Sequence, residues 1–304
     1  MLVNHDLPEI FEEIKSCRQL YPEFENAQVL VRDLYKAKDS FFKKQPQSRK
    51  KAEVTLTEEG VQAKLSAGSP LIADPVVDKK TFIELCKVVS AVVTKKEPSL
   101  KEAMKQLESF VTDYFTRTAE NTVSVQDMPS FISECAEKTS LKPDLLTFII
   151  TFMLPSLFGD YYNLDNVENI NAAIWEKGNC PVCGVEPHYG LLKEKEGVRM
   201  LDCWLCGYQR VFPRIKCPYC LNTEQEHLGL FTVGDSERCR VHFCKKCDSY
   251  VKIFDLRSSI NENAFLPVHN LATLSYDLFA LKEGFKPGSG LLWVNEEEHN
   301  HSAN

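Results

Sequence analysis

The sequence predicts an α+β protein of several parts: an N-terminal all-α helical domain, two tandem cysteine-bearing β-ribbons and a C-terminal helix. Two observations carry this. Three of the twelve cysteines (Cys17, Cys86 and Cys135) are scattered through the first 175 residues, whereas nine crowd into residues 180–247. The hydrophobic pattern changes at the same place, from three- and four-residue spacing to short β-prone pieces separated by turns. The divisions that follow are 1–175 for the helical part, 176–214 and 215–257 for the ribbons, and 258–304 for a loop, helix and tail. With 304 residues, of which 43% are hydrophobic, the chain can build a core that does not depend on metal alone.

In the first part, apolar residues recur at helical spacing in Ile10–Leu20, Val29–Phe42, Phe82–Val93 and Met104–Phe115. Asp78 precedes the third run as an N-cap, and Ser99 with Glu102 has the spacing of a capping box before the fourth. Cys17, Cys86 and Cys135 fall within helical patterns and read as core residues. Phe42–Lys51 is polar and basic and reads as an exposed loop, and Ala67–Ile72 as a turn entering a short apolar segment. The most apolar window, Leu145–Phe158, contains Pro155; at about 14 residues it is short of the roughly 20 a bilayer requires, so it reads as a buried core helix. A helix over about Leu164–Lys177 is expected to lead into the cysteines. Six strands follow at Tyr189–Leu192, Val198–Leu201, Tyr208–Phe212, Leu228–Val233, Arg240–Phe243 and Tyr250–Phe254, then a helix over about Asn270–Glu283.

Eight of the nine clustered cysteines form Cys-x-x-Cys pairs: Cys180/Cys183, Cys203/Cys206, Cys217/Cys220 and Cys244/Cys247. Two intervening residues let one tight turn aim two sulfurs at a common point, and a second turn completes a tetrahedron. Gly184 and Gly207 follow the first two pairs and can take positive φ as the chain curls back. Joining pairs in sequence leaves 19 residues inside the first site and 23 inside the second, each about one hairpin. Joining the middle pairs leaves only 10 and forces the outer pairs together, so sequential matching is preferred over that pairing and over a single cluster of all eight thiolates. Zinc and iron both accept four thiolates, so spacing does not choose between them, nor between a structural staple and a redox centre.

The ninth cysteine, Cys239, stands between Arg238 and Arg240, which suits either a reactive thiol or a small residue on a strand. His188 and His242 lie near the cysteine turns, but each tetrahedron is already complete without them. Trp204, Tyr219 and Phe243 sit in or beside the turns, where rings shield sulfur or line a partner surface. The chain carries a net charge of -7, and residues 176–255 hold 12 Lys/Arg against 11 Asp/Glu, which argues against a nucleic-acid-binding zinc ribbon. The first residues show neither a basic leader nor an apolar stretch, so a cytoplasmic protein is expected. In that reducing compartment paired cysteines favour metal over disulfides. No phosphate loop, His-Glu-x-x-His or nucleophile elbow occurs, and no enzyme activity is expected.

Taken together, WEKGNCPVCG at Trp175–Gly184, LDCWLCG at Leu201–Gly207, RIKCPYC at Arg214–Cys220 and FCKKCDSYVKIFD at Phe243–Asp255 resemble the FdhE family of formate dehydrogenase accessory proteins. So do LPVHNLATLSYDLFAL at Leu266–Leu281 and the turn Gly68-Ser69-Pro70-Leu71. The resemblance implies a cytoplasmic maturation factor that contacts the formate dehydrogenase catalytic subunit before export. It also implies two rubredoxin-like, iron-binding modules behind a helical domain, with the eight paired cysteines as ligands. One departure is Asn270, where the family pattern leads us to expect an acidic residue before Leu-Ala-Thr. A stand-alone double rubredoxin that transfers electrons is the other reading of such a pair of sites.

Overall fold

The computed structural model describes residues 5–45, 52–53, 57–117, 119–164, 174–233, 238–257 and 264–288. Helix α1 (Leu7–Leu20) starts earlier than its apolar repeat because Asp6 and Glu9 form a reciprocal capping box: Glu9 N donates to the Asp6 carboxylate and Asp6 N to the Glu9 carboxylate. Helix α2 (Gln28–Lys43) follows a 3-10 turn, and a two-residue strand β1 (Ala52–Glu53) follows α2. Of the basic stretch Phe42–Lys51, residues 46–51 lie outside the described residues. Helix α3 (Glu58–Ser66) was not legible as an amphipathic repeat; Leu65 is its one buried residue, and Thr57 caps it.

Strand β2 (Val76–Asp78) delivers Asp78 to the N-terminus of α4 (Lys79–Lys96), where its carboxylate accepts from Thr81 N at 2.7 Å, as the sequence led us to expect. The cap expected of Ser99 is absent. Ser99 sits in a 3-10 turn over Pro98–Leu100 and its hydroxyl donates to Glu97, so α5 (Lys101–Thr116) begins without a side-chain cap. Strand β3 (Thr122–Ser124) pairs antiparallel with β2 and leads into α6 (Met128–Lys138). Helix α4 packs against α2, α5 and α7 (Pro143–Tyr161), and Phe82, Phe115 and Phe131 fill the space between them.

By length and composition α7 is long enough to cross a membrane, at 19 residues against the 14 expected. Leu146, Ile149, Ile150, Met153, Leu154 and Phe158 are nevertheless fully buried within the protein, which makes α7 a core helix. Pro155 lies inside it rather than ending it. Strand β4 (Tyr162–Asn163) pairs with β1. The helix expected over Leu164–Lys177 falls largely outside the described residues; its described flanks, Leu164 and Ile174–Lys177, are not α-helical.

All six expected strands are present: β5 (Tyr189–Lys193), β6 (Val198–Asp202), β7 (Gln209–Val211), β8 (Leu228–Phe231), β9 (Cys239–Cys244) and β10 (Ser249–Asp255). Each ribbon is an antiparallel hairpin with one added strand. What the local pattern did not disclose is that the ribbons fuse. Strand β5 pairs in parallel with β10, Tyr189 opposite Lys252, giving the order β7-β6-β5-β10-β9-β8 in one seven-stranded sheet; β11 (Lys286–Pro287) adds to the end of β10.

The single C-terminal helix expected over Asn270–Glu283 is two helices, α8 (Leu266–Ala272) and α9 (Leu274–Lys282), and it starts four residues earlier. The break at Thr273 has a visible cause. The Lys252 ammonium rises from β10 and donates to the carbonyls of Asn270 (3.0 Å) and Thr273 (3.3 Å), to the Thr273 hydroxyl and to Asp277 (2.5 Å). An uninterrupted helix would use the Asn270 carbonyl within its own ladder. At 1% exposure Lys252 is among the most deeply buried residues, and Asp277 is its only carboxylate among the described residues. Asn270 thus serves Lys252 through its backbone, so the carboxylate expected at that position is not needed for this contact. Helix α8 also closes on α1 through a buried hydrogen bond between His269 Nε2 and the Glu13 carboxylate at 2.7 Å.

Candidate metal centres

The structure gathers the eight paired cysteines into two groups, as sequential matching requires. Cys180, Cys183, Cys203 and Cys206 form one, and Cys217, Cys220, Cys244 and Cys247 the other, with every sulfur within 4.8 Å of the rest of its group. In the first, Cys180 and Cys206 approach to 3.6 Å and Cys183 and Cys203 to 3.4 Å; in the second the two corresponding distances are both 3.7 Å. Sulfurs set about 2.3 Å from a shared cation at the corners of a tetrahedron lie ~3.8 Å apart. Both groups therefore match the donor set and spacing of a mononuclear tetrathiolate.

Local backbone geometry makes each turn. Gly184 N donates to Cys180 O, Gly207 N to Cys203 O and Leu221 N to Cys217 O, at 2.8–3.1 Å. The residue after each pair lies in the left-handed region: Gly184 (φ 78), Gly207 (φ 72), Leu221 (φ 60) and Asp248 (φ 51). Glycine occupies only the first two, so Leu221 and Asp248 each carry a conformational cost of about 1 kcal/mol. Val182 N and Tyr219 N donate to the Cys180 and Cys217 sulfurs at 3.4 Å, which would spread thiolate charge into the backbone.

Two arginines fix the chain just before each site. Arg210 donates to the carbonyls of Lys177 and Asn179, ahead of Cys180; Arg199 donates to those of Pro213 and Lys216, ahead of Cys217. Burial lowers both guanidinium pKa values to about 10, opposed by the nearby cysteine sulfurs. Four thiolates around a divalent cation carry two surplus negative charges, so cations nearby are the expected complement.

The helical half holds the first site directly. Leu71 N and Ile72 N donate to the carbonyls of Pro181 and Val182, inside the first Cys-x-x-Cys, and Lys177 donates to Gly68 O at 2.6 Å. The turn Gly68–Leu71 is thus a main-chain clamp on the first cysteine turn, a role that no local pattern foretells. The two ribbons meet as closely. A Cβ on Gly178 would lie 1.5 Å from the Pro218 carbonyl, and the Tyr219 hydroxyl donates to Pro187 O at 2.9 Å.

The two sites differ in exposure. Cys180, Cys183 and Cys203 are buried and Cys206 is half-buried, whereas Cys220 is exposed and Cys247 half-buried. A chelator should therefore strip zinc-loaded protein in two phases, the second site first. Release followed with a chromogenic chelator checks this, and Cys220→Ser should remove the fast phase and spare the slow one.

The remaining candidates resolve plainly. Cys239 is fully buried at the start of β9 and burial pushes its thiol up to about 12, so it is a strand residue and not a reactive one. Cys17, Cys86 and Cys135 are core residues, at most 1% exposed. His188 and His242 stand outside both groups, and burial lowers each to about 3. Trp204 is anchored by its Nε1 on Glu186 O, and Phe243 stacks between Phe231 and Phe285. Glu13, Cys17 and His269 also converge, which the sequence did not signal, but the Glu13–His269 hydrogen bond accounts for that contact.

No family model matches the chain. An FdhE homologue from Aquifex aeolicus is 27% identical over 236 residues, 76% of this chain and 77% of that protein. The chain is similar to the FdhE proteins. A second FdhE homologue, from Pseudomonas aeruginosa, is 29% identical over 115 residues, about a third of each chain. The crystal structure of the FdhE protein from Pseudomonas aeruginosa superposes with a TM-score of 0.58, covering 97% of this chain and 99% of that one at 20% identity, and so shares the fold.

Proposed function

We propose that this protein is a cytoplasmic accessory factor in formate dehydrogenase maturation that binds the catalytic subunit and holds iron at two sites. The ligands are Cys180, Cys183, Cys203 and Cys206 at the first and Cys217, Cys220, Cys244 and Cys247 at the second. The observation that carries this reading is the pair of tetrathiolate groups at metal-ligand spacing in a chain similar to one FdhE homologue over three-quarters of its length. In this reading residues 1–175 are the helical body, 176–214 and 215–257 the two ribbons, and 258–304 a C-terminal loop, helix and tail.

When bound in four thiolates, iron supplies a one-electron couple; zinc would supply only a cross-link. The protein's own residues divide the labour between the sites. Burial of the first site, with Trp204 at its second turn, excludes water, and the Gly68–Leu71 clamp ties it to the helical body. Cys220 and Leu221 bring the second site to the surface, where a partner can reach it.

Co-purification tests the reading. The tagged protein is expected to retain the formate dehydrogenase catalytic subunit from cells producing both, and no retention contradicts the partnership. Protein purified in air is expected to be red from thiolate-to-iron charge transfer, with elemental analysis finding iron at both sites; colourless protein holding only zinc contradicts the iron assignment.

A further inference from the structure

A cavity of about 890 Å³ lies where the helical half, the first ribbon and α8 meet, and the metal sites do not account for it. Its walls come from α2, α7, the Cys203–Gly207 turn and the start of α8, and it opens to solvent on one side. Its volume is within the roughly 300–1,000 Å³ of small-molecule sites, and aromatic rings supply much of its lining. Two of the residues that line it, Lys38 and His188, are incompletely paired.

The first is Lys38, on α2. Its ammonium lies 4.6 Å from the centre of the Tyr35 ring and 4.1 Å from that of Phe152, and donates to the Phe152 carbonyl at 3.3 Å. No carboxylate among the described residues pairs with it; the adjacent Asp39 is taken by Lys43 at 2.9 Å. Burial accordingly lowers its pKa to about 7. The second is His188, whose ring stands edge-on to Trp204 and whose Nε2 is buried with no hydrogen-bond partner. A half-buried cation with no carboxylate beside it is poorly compensated, and a buried ring nitrogen without a partner is costly; an occupant bearing an anionic group would pair with the cation.

We propose that this cavity binds a small amphipathic anion, an apolar or aromatic body ending in a carboxylate, phosphate or sulfonate, with the acid group on Lys38 and the body against Trp204. Because Trp204 lies between Cys203 and Cys206, occupancy places the ligand against the turn that carries half of the first tetrathiolate. The site is independent of the partner proposed above.

Titrating the zinc-loaded full chain with anilinonaphthalene sulfonate tests this, reading probe fluorescence and energy transfer from tryptophan. Saturable binding is expected, with most of the transfer lost in Trp204→Phe while binding persists. Lys38→Met keeps the length of the side chain and should weaken binding about tenfold or more, whereas Lys38→Arg should stay within about threefold, as expected for a charge-assisted contact. Ser156→Trp, which fills the cavity from α7, should abolish binding with zinc content unchanged. The neutral probe N-phenylnaphthylamine should bind wild-type and Lys38→Met protein alike. Failure of the sulfonate to bind the wild-type protein overturns the proposal, and so does wild-type affinity in Lys38→Met.

Discussion

Replacing Cys203 by serine should cost the protein its first metal ion and unfold the first ribbon, the largest loss expected of any single substitution. Metal in a structural tetrathiolate contributes on the order of 10 kcal/mol of folding free energy. Serine is a poor ligand, and Cys203 is only 5% exposed, so its hydroxyl would be left buried among sulfurs. The damage should not stop at the ribbon. Leu71 and Ile72 lose their carbonyl partners when the Cys180–Cys183 turn dissolves, which frees the first ribbon from the Gly68–Leu71 clamp and leaves that edge of the helical half unpaired. Cys203→Ser is therefore expected to hold one metal ion fewer per chain and to melt at lower temperature by helical circular dichroism. Cys220→Ser, at the exposed second site, should also lose one ion but leave the helical melt closer to wild type. Equal damage from the two substitutions would contradict the proposed clamp.

The second large effect belongs to Asp277→Ala. Lys252 is buried, and Asp277 is the only carboxylate paired with it among the described residues. Removing one partner of a buried pair leaves an uncompensated charge and costs about 3–5 kcal/mol; a value near 2–3 is expected here because the Asp277 side chain is 25% exposed. Lys252→Met in the same background should recover most of the loss, since an apolar side chain no longer needs the carboxylate. Denaturant unfolding of the two single variants and the double variant measures this directly. A double variant less stable than Asp277→Ala would show that Lys252 holds the α8–α9 break by its hydrogen bonds to Asn270 and Thr273 and not at a cost offset by Asp277.

What the sequence disclosed and what it hid follow from the range of the interactions involved. The cysteine pairs were legible because ligand geometry is local: four short turns and two hairpin-length spacers leave one economical matching. The six ribbon strands were legible for the same reason. Fusion of the ribbons through β5 and β10 was not, because a parallel pairing joins residues such as Tyr189 and Lys252 that no turn connects. The expected C-terminal helix was wrong at Thr273 because its periodicity continues through the break, while the cause of the break, Lys252, arrives from a strand earlier in the chain. Ser99 failed as a cap because it lies inside the 3-10 turn, one residue short of the N-cap position, which Leu100 occupies. Lys38 was invisible as a candidate because a lysine on an amphipathic helix normally faces water, and only the assembled fold encloses it.

X-ray absorption at the metal edge of the purified protein tests the central claim most directly. Two separate tetrathiolate sites predict a single shell of four sulfurs at about 2.3 Å, no nitrogen or oxygen ligands, and no metal–metal scattering. A short metal–metal distance would mean that the eight cysteines share one cluster, and a mixed sulfur–nitrogen shell would mean that a histidine has displaced a cysteine; either would contradict the account.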